Sequence, residues 1–219
     1  MRRIRTRSTV LVALATLVAL AAMAAPGSAH NKDRQRTRSP VSWEWDSSSV
    51  VGRSTLVRST HGLRVKLRAS GLTPGDVVTM WIGFFTNPDE CSATPCPRPA
   101  DVRNPATGAD LYWGDGVVVG KNGKATFRGM LRVGQDYGSL KDEVGLAPGV
   151  RLTDPFGSEV AIALHSHGPA LEGDALHEQL TSFLGGCEVF TGGGFAGGFE
   201  DLPDEIGECT TFQSSIHLP

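Results

Sequence analysis

Leu63-Arg-Val-Lys-Leu-Arg-Ala69 alternates without a break: Leu63, Val65, Leu67 and Ala69 take one side, Arg64, Lys66 and Arg68 the other. Period-two alternation of apolar and charged residues predicts a strand with one face buried and one in water, the unit of an antiparallel sheet. Ser70-Gly-Leu-Thr-Pro-Gly-Asp76 holds the residues that turn a chain. Val77-Val-Thr-Met-Trp-Ile-Gly-Phe-Phe85 follows, nearly all apolar and rich in β-formers. It predicts a central strand covered on both faces.

The same pattern recurs on either side. Val41 to Trp45 alternates and predicts a first strand, with a turn at Asp46–Ser49. Asn87 to Thr107 is a proline-rich loop. Leu111-Tyr-Trp113, Val117-Val-Val119 and Ala125 to Val133 predict further strands. Asn122-Gly123 sits between the last two as a hairpin turn, since both positions tolerate positive φ. Residues 134–149 predict a surface segment. Glu159 to Gly168 is another strand, with Val160, Ile162 and Leu164 on one face and Ala161, Ala163, His165 and His167 on the other. Asp174 to Leu184 fits a helix with an apolar stripe, and its second half, Gln179–Leu184, also fits a strand. Gly185 to Gly198 is a glycine-dense loop, and Thr210 to Leu218 is a last strand. Roughly seven to nine short strands with turns at sandwich-like intervals predict an all-β fold. The expected architecture is an antiparallel β-sandwich, immunoglobulin-like or jelly-roll-like, with at most one short helix.

The N-terminus predicts export. Arg2, Arg3, Arg5 and Arg7 precede the apolar run Val10–Ala25, and Pro26-Gly-Ser-Ala29 supplies small residues for cleavage. The run is too alanine-rich and short for a span of about 20 strongly apolar residues. The expected organisation is a signal peptide over 1–29, a flexible leader over 30–40 and one sandwich domain over 41–219. Loss of Met1–Ala29 removes four of 21 basic residues and none of the 23 carboxylates, for a net charge of about −6. That balance argues against nucleic acid and against a membrane surface as partners.

Cys91, Cys96, Cys187 and Cys209 make an even set, which in an oxidising compartment reads as disulfides. Three pairings are open. Cys91–Cys96 and Cys187–Cys209 are favoured because each closes a local loop. Zinc held by four cysteines is the competing reading, and the spacings fit it poorly.

Chemistry has few footholds. His165 and His167 are two apart on one strand, so their imidazoles project together and suit a shared copper or zinc ion. His177 and His217 are the candidates to complete such a set. The competing reading puts the pair at the solvated end of a strand, one ring bonded to a loop carbonyl, and the sequence favours it. Copper/zinc superoxide dismutases are also β-sandwiches with a His-x-His pair, and the parallel ends there. The acidic run Glu200 to Glu208 lacks the spacing of a calcium loop. Trp43, Trp45, Trp81 and Trp113 offer an aromatic platform or a core. No nucleophile elbow or phosphate loop occurs, so no catalytic residue is assigned.

Ser70 to Cys91, Gly120-Lys-Asn-Gly-Lys-Ala-Thr-Phe127 and Leu164-His-Ser-His-Gly-Pro169 resemble a group of secreted bacterial proteins of actinobacterial type. The resemblance covers most of residues 60–217. It implies export and a β-sandwich, and no activity. The expected function is an extracellular, non-enzymatic module for an unidentified ligand or surface, without a cofactor. The alternative is a copper- or zinc-binding protein or metalloenzyme built on His165 and His167.

Overall fold

Nine strands run through the residues that the computed structural model describes, 33–96, 100–143, 149–187, 189–190 and 208–219. They are β1 (Arg34–Trp43), β2 (Asp46–Ser59), β3 (Gly62–Ser70), β4 (Asp76–Phe85), β5 (Ala109–Val118), β6 (Lys124–Arg132), β7 (Glu159–Pro169), β8 (Val189–Phe190) and β9 (Glu208–His217). The expected signal peptide, 1–29, lies outside the described residues.

The sheet order is β5-β4-β7-β9-β1-β2-β3-β6, every neighbour antiparallel. The short β8 adds to β9 in parallel. The two ends of this path curl towards each other. The Arg128 amide of β6 donates to the Asp115 carboxylate of β5 at 2.8 Å, and a Cβ on Gly129 would stand 3.1 Å from the Gly114 Cα. The result is an all-β, sandwich-like fold, nearly closed as a barrel. Helical turns α1 (Ala100–Arg103) and α2 (Leu140–Glu143) decorate it, and α3 (Gly173–Thr181) is the longest helix among the described residues.

Both strands that anchor the sequence reading form as expected. β3 buries Leu63, Val65, Leu67 and Ala69 and turns Arg64 and Arg68 outward. β4 lies between β5 and β7 and is buried almost throughout. Met80, Ile82 and Phe84 enter the interior core with Leu56, Leu67, Phe127 and Ile162. Trp81 and Phe85 face the other way, into a second core with Leu111, Phe183 and Cys209. Each such side chain stabilises the fold by about 1.5–3 kcal/mol.

Three expectations change. Residues 34–40, expected as a leader, belong to β1, paired with β2 from Arg34↔Ser59 onwards. No apolar alternation marked them because β1's inward partners are polar. The Thr37 hydroxyl meets His217 Nδ1 at 2.8 Å, and the Ser39 carbonyl accepts from Ser54. Asp46–Ser49, expected as a turn, opens β2, and the reversal falls at Glu44–Trp45. β2 itself escaped notice because its inward residues are Ser54, Leu56 and Arg58. The Asn122-Gly123 turn forms, with Gly123 at φ 62°, but its strands are not a ladder. β6 pairs with β3 instead, so the turn bridges the two ends of the rolled sheet. Of the two readings open for Asp174–Leu184, the helix is the one that forms, over 173–181.

α3 sits on β5 through a glycine. A Cβ at Gly116 would stand 2.2 Å from the Leu180 carbonyl oxygen, the same carbonyl that accepts the Trp113 indole N–H at 2.9 Å. Gly116→Ala is therefore expected to cost about 2 kcal/mol. Amide exchange across 173–181 should quicken more than in β3. Equal change in both segments would show that the glycine does not seat the helix.

Candidate functional site

β7 brings His165 and His167 out on one side, as the alternation requires. A bulge in β9 shifts the pairing from Leu164↔Gln213 to His165↔Thr211. The sequence favoured a solvated strand end for this pair. Instead both rings are buried, 0% and 1% exposed. The cause is the segment after α3, which folds over this side of the sheet. Phe183 stacks on the His165 ring at 4.3 Å and meets Trp81 edge-on at 5.0 Å, while the two imidazoles lie edge-to-face at 4.9 Å.

Hydrogen bonding sets the His167 tautomer. Nδ1 lies 2.8 Å from the Gly185 carbonyl, which can only accept, so Nδ1 carries the proton. Nε2 then accepts from the Thr79 hydroxyl at 2.8 Å, and Thr79 in turn accepts the Trp81 indole N–H at 2.9 Å. His165 Nδ1 is 3.3 Å from the Thr211 hydroxyl. Burial holds His167 down to about 4. Burial first, and then the neighbouring His167, hold His165 well below the usual imidazole range. Both rings are therefore neutral at physiological pH.

The loop-closing cysteines join them. Disulfides link Cys91 to Cys96 and Cys187 to Cys209, with Cα–Cα distances of 5.3 and 5.4 Å. The favoured pairing is the one formed. The Cys187 and Cys209 sulfurs lie 3.5 and 4.0 Å from His167 Nδ1. One potential ligand atom from each of His165, His167, Cys187 and Cys209 falls within 4.8 Å of all the others.

The other expected ligands are elsewhere. His177 is exposed on α3, its carbonyl accepting from Thr181. His217 pairs in register with Val160. That is five residues from His165, or about 16 Å at 3.3 Å per residue. Its ring is held by Thr37 and Ser54. Of the four expected histidines only His165 and His167 come together, and the groups beside them are Cys187 and Cys209. Strand alternation located the first two, but the cysteines, read as a staple with a four-cysteine zinc site as the competing reading, reach the histidines through the tertiary fold.

Of the tryptophans, Trp81 is core. Trp45 is 70% exposed and stacks on Trp43 at 4.7 Å, while Trp43 leans on Phe212. The acidic run 200–208 lies outside the described residues, apart from the Glu208 backbone in β9.

A second feature comes from register. Three rows cross β1, β2, β3 and β6 on the outer face: Arg36-Val57-Arg64-Met130, Arg38-Thr55-Lys66-Arg128 and Pro40-Arg53-Arg68-Thr126. Of these twelve positions seven are cationic and none is acidic. A groove of about 630 Å³ runs along Arg36, Arg38, Arg53, Lys66, Arg68 and Lys124. Arg53 faces Arg68 directly, and Lys66 faces Arg128. Like charges so placed destabilise a sheet. Arg68, then Arg128, hold the Lys66 ammonium below its ordinary range, with burial and Arg36 adding. The outward cations of β3 were legible; their meeting with those of β1, β2 and β6 required the strand order. A net negative chain thus carries one strongly positive face.

No protein-family model, curated protein or solved structure matches this chain.

Proposed function

We propose that this chain is an extracellular, non-enzymatic binding module whose outer β1-β2-β3-β6 face takes a linear polyanion bearing sulfate or phosphate groups. The carrying observation is the three-row cationic face, none of whose twelve positions holds a carboxylate. Strands about 4.8 Å apart present these charges at a regular interval that a repeating anionic chain can follow. The repulsion between Arg53 and Arg68, and between Lys66 and Arg128, is relieved when anions lie between them, so bound ligand removes a built-in cost. The signal-peptide pattern over 1–29 and the two disulfides support a location outside the cell, where anionic glycopolymers are the more available partners than nucleic acid.

Heparin and inorganic polyphosphate are suitable probes, with single-stranded DNA as the third arm. Binding is expected to weaken at least about tenfold between 50 and 200 mM salt, because several ion contacts are made at once. Charge reversal in Arg53→Glu/Lys66→Glu/Arg68→Glu should weaken it at least about 30-fold. These side chains lie on the outer face, so the fold should survive. Undiminished affinity in the triple variant, or no binding of any probe at 50 mM salt, would refute the proposal. DNA bound more tightly than both other probes would instead identify a nucleic-acid partner.

A further inference from the structure

The buried cluster beneath α3 serves no part of the cationic face and calls for its own account. Two imidazoles and two sulfurs from three places, β7 twice, the segment after α3 and β9, converge with their ligand atoms within 4.8 Å. Two imidazoles with two thiolates are a donor set suited to a tetrahedral, thiophilic ion such as Zn²⁺. We propose that His165, His167, Cys187 and Cys209 form a redox-gated zinc site, closed as the Cys187–Cys209 disulfide and opened by reduction.

The step balances simply. A dithiol reductant gives two electrons and two protons to the Cys187–Cys209 bond and is itself oxidised to a disulfide. The S–S bond breaks and two thiols form. Zinc then displaces both thiol protons and binds the two thiolates with one nitrogen from each imidazole.

Geometry supports this conversion in three ways. First, the sulfurs need only move from about 2.05 Å apart to about 3.8 Å, the spacing set by two Zn–S bonds of about 2.3 Å. Cys187 lies outside the sheet in a loop entered through Gly185 and Gly186, and Gly186 has φ 71°. That segment can yield while the ladders of β7 and β9 hold the other three residues. Second, His167 already has an outer partner. If Nδ1 turns from the Gly185 carbonyl to the metal, the proton moves to Nε2, which then donates to the Thr79 hydroxyl. Metal-bound histidines are oriented by such a second bond. Third, the site is hydrophobic-walled, with Trp81 and Phe183 packed around it and His165, His167 and Cys209 buried. Water therefore competes poorly for the ion. The second disulfide, Cys91–Cys96, has no histidine within reach among the described residues and is expected to stay a plain staple.

Cobalt(II) reads this out directly, because thiolate ligation gives intense near-ultraviolet charge-transfer bands and tetrahedral visible bands. The protein as processed on export, carrying no histidine tag, is titrated anaerobically before and after treatment with a phosphine reductant. The expected result is one equivalent of tetrahedral cobalt in the reduced form, none in the oxidised form, and displacement of the cobalt by zinc. A Cys91→Ser/Cys96→Ser variant should keep the full signal, and His165→Asn/His167→Asn should lower the affinity at least 100-fold. X-ray absorption of the wild-type zinc form needs no variant to fold, and two sulfurs with two nitrogens are expected. Any other shell, less than one tenth of an equivalent bound, or a signal that follows Cys91 and Cys96, would overturn the site. Reduced protein that unfolds and does not refold with zinc would overturn it equally.

Discussion

Acidification from pH 6.5 to 4 is expected to remove most of the stability of this fold. His167 and His217 both titrate near 4 when folded, against an ordinary 6.5. Burial is the first cause in each, and for His217 the nearby Arg58 guanidinium adds to it. A base with a depressed folded value is protonated first in the unfolded chain. Above pH 6.5 neither state binds the proton and nothing is lost. Between 6.5 and 4 the unfolded state takes it up and the folded state does not, so stability falls; below 4 the loss levels off. Each ring contributes about 3 kcal/mol to this fall, and His165, shifted in the same direction, adds to it. Asp110 works against the trend, since burial raises its carboxyl. Protonating it as the pH drops recovers part of the loss. Against a total of about 5–15 kcal/mol for a domain, two or three such histidines are decisive. Urea midpoints measured from pH 7.5 to 4 should drop steeply below 6.5. In His217→Gln, whose amide can still meet Thr37 and Ser54, the slope should be shallower. A flat midpoint over that range would show that the rings are not buried as neutral bases.

Replacing Arg58 is the second large effect. The side chain is fully buried and, among the described residues, donates to no carboxylate. It donates instead to four backbone carbonyls: Nε to Pro155 at 2.9 Å, and Nη2 to Ser158, His217 and Leu218 at 3.0, 3.1 and 3.0 Å. These carbonyls belong to the approach to β7 and the end of β9, so one guanidinium ties the C-terminal strand to the loop before β7. Arg58→Met keeps the bulk and removes every donor. Leaving buried acceptors without partners costs about 1–3 kcal/mol each, less where other donors reach them, so about 3 kcal/mol or more overall is expected. For a chain of this size that corresponds to a fall of roughly 10 °C in Tm. Arg58→Lys should recover only part, because one ammonium cannot span four carbonyls. A Tm for Arg58→Met within 2 °C of wild type would show that the guanidinium is dispensable.

The same residues explain where reading along the chain failed. β2 was missed because Arg58 and Ser54 point inward, where apolar residues would have marked the strand. The start of β1 looked like a leader because Thr37 and Ser39 serve that same polar interior. A rule that equates inward with apolar cannot see a strand whose buried side is a hydrogen-bond network. His165 and His167 were identified correctly as a pair, since two-residue spacing alone sets their common direction. Their burial was not, because it depends on α3 and Phe183, which are close in space and not in sequence.

What the sequence by itself determined is therefore the local and periodic part. This comprises the faces of β3, β4 and β7, the turn at Asn122-Gly123, the all-β antiparallel class and a preference among the three disulfide pairings. Each rests on spacing within a few residues or on the closure of a short loop. The tertiary structure alone decided which strands adjoin. It set β6 beside β3 and not β5, gathered the cations of four strands on one face, and carried the Cys187–Cys209 disulfide up against His167. These outcomes follow from long-range pairing and from the curl that brings the sheet's ends together, and no local pattern encodes them.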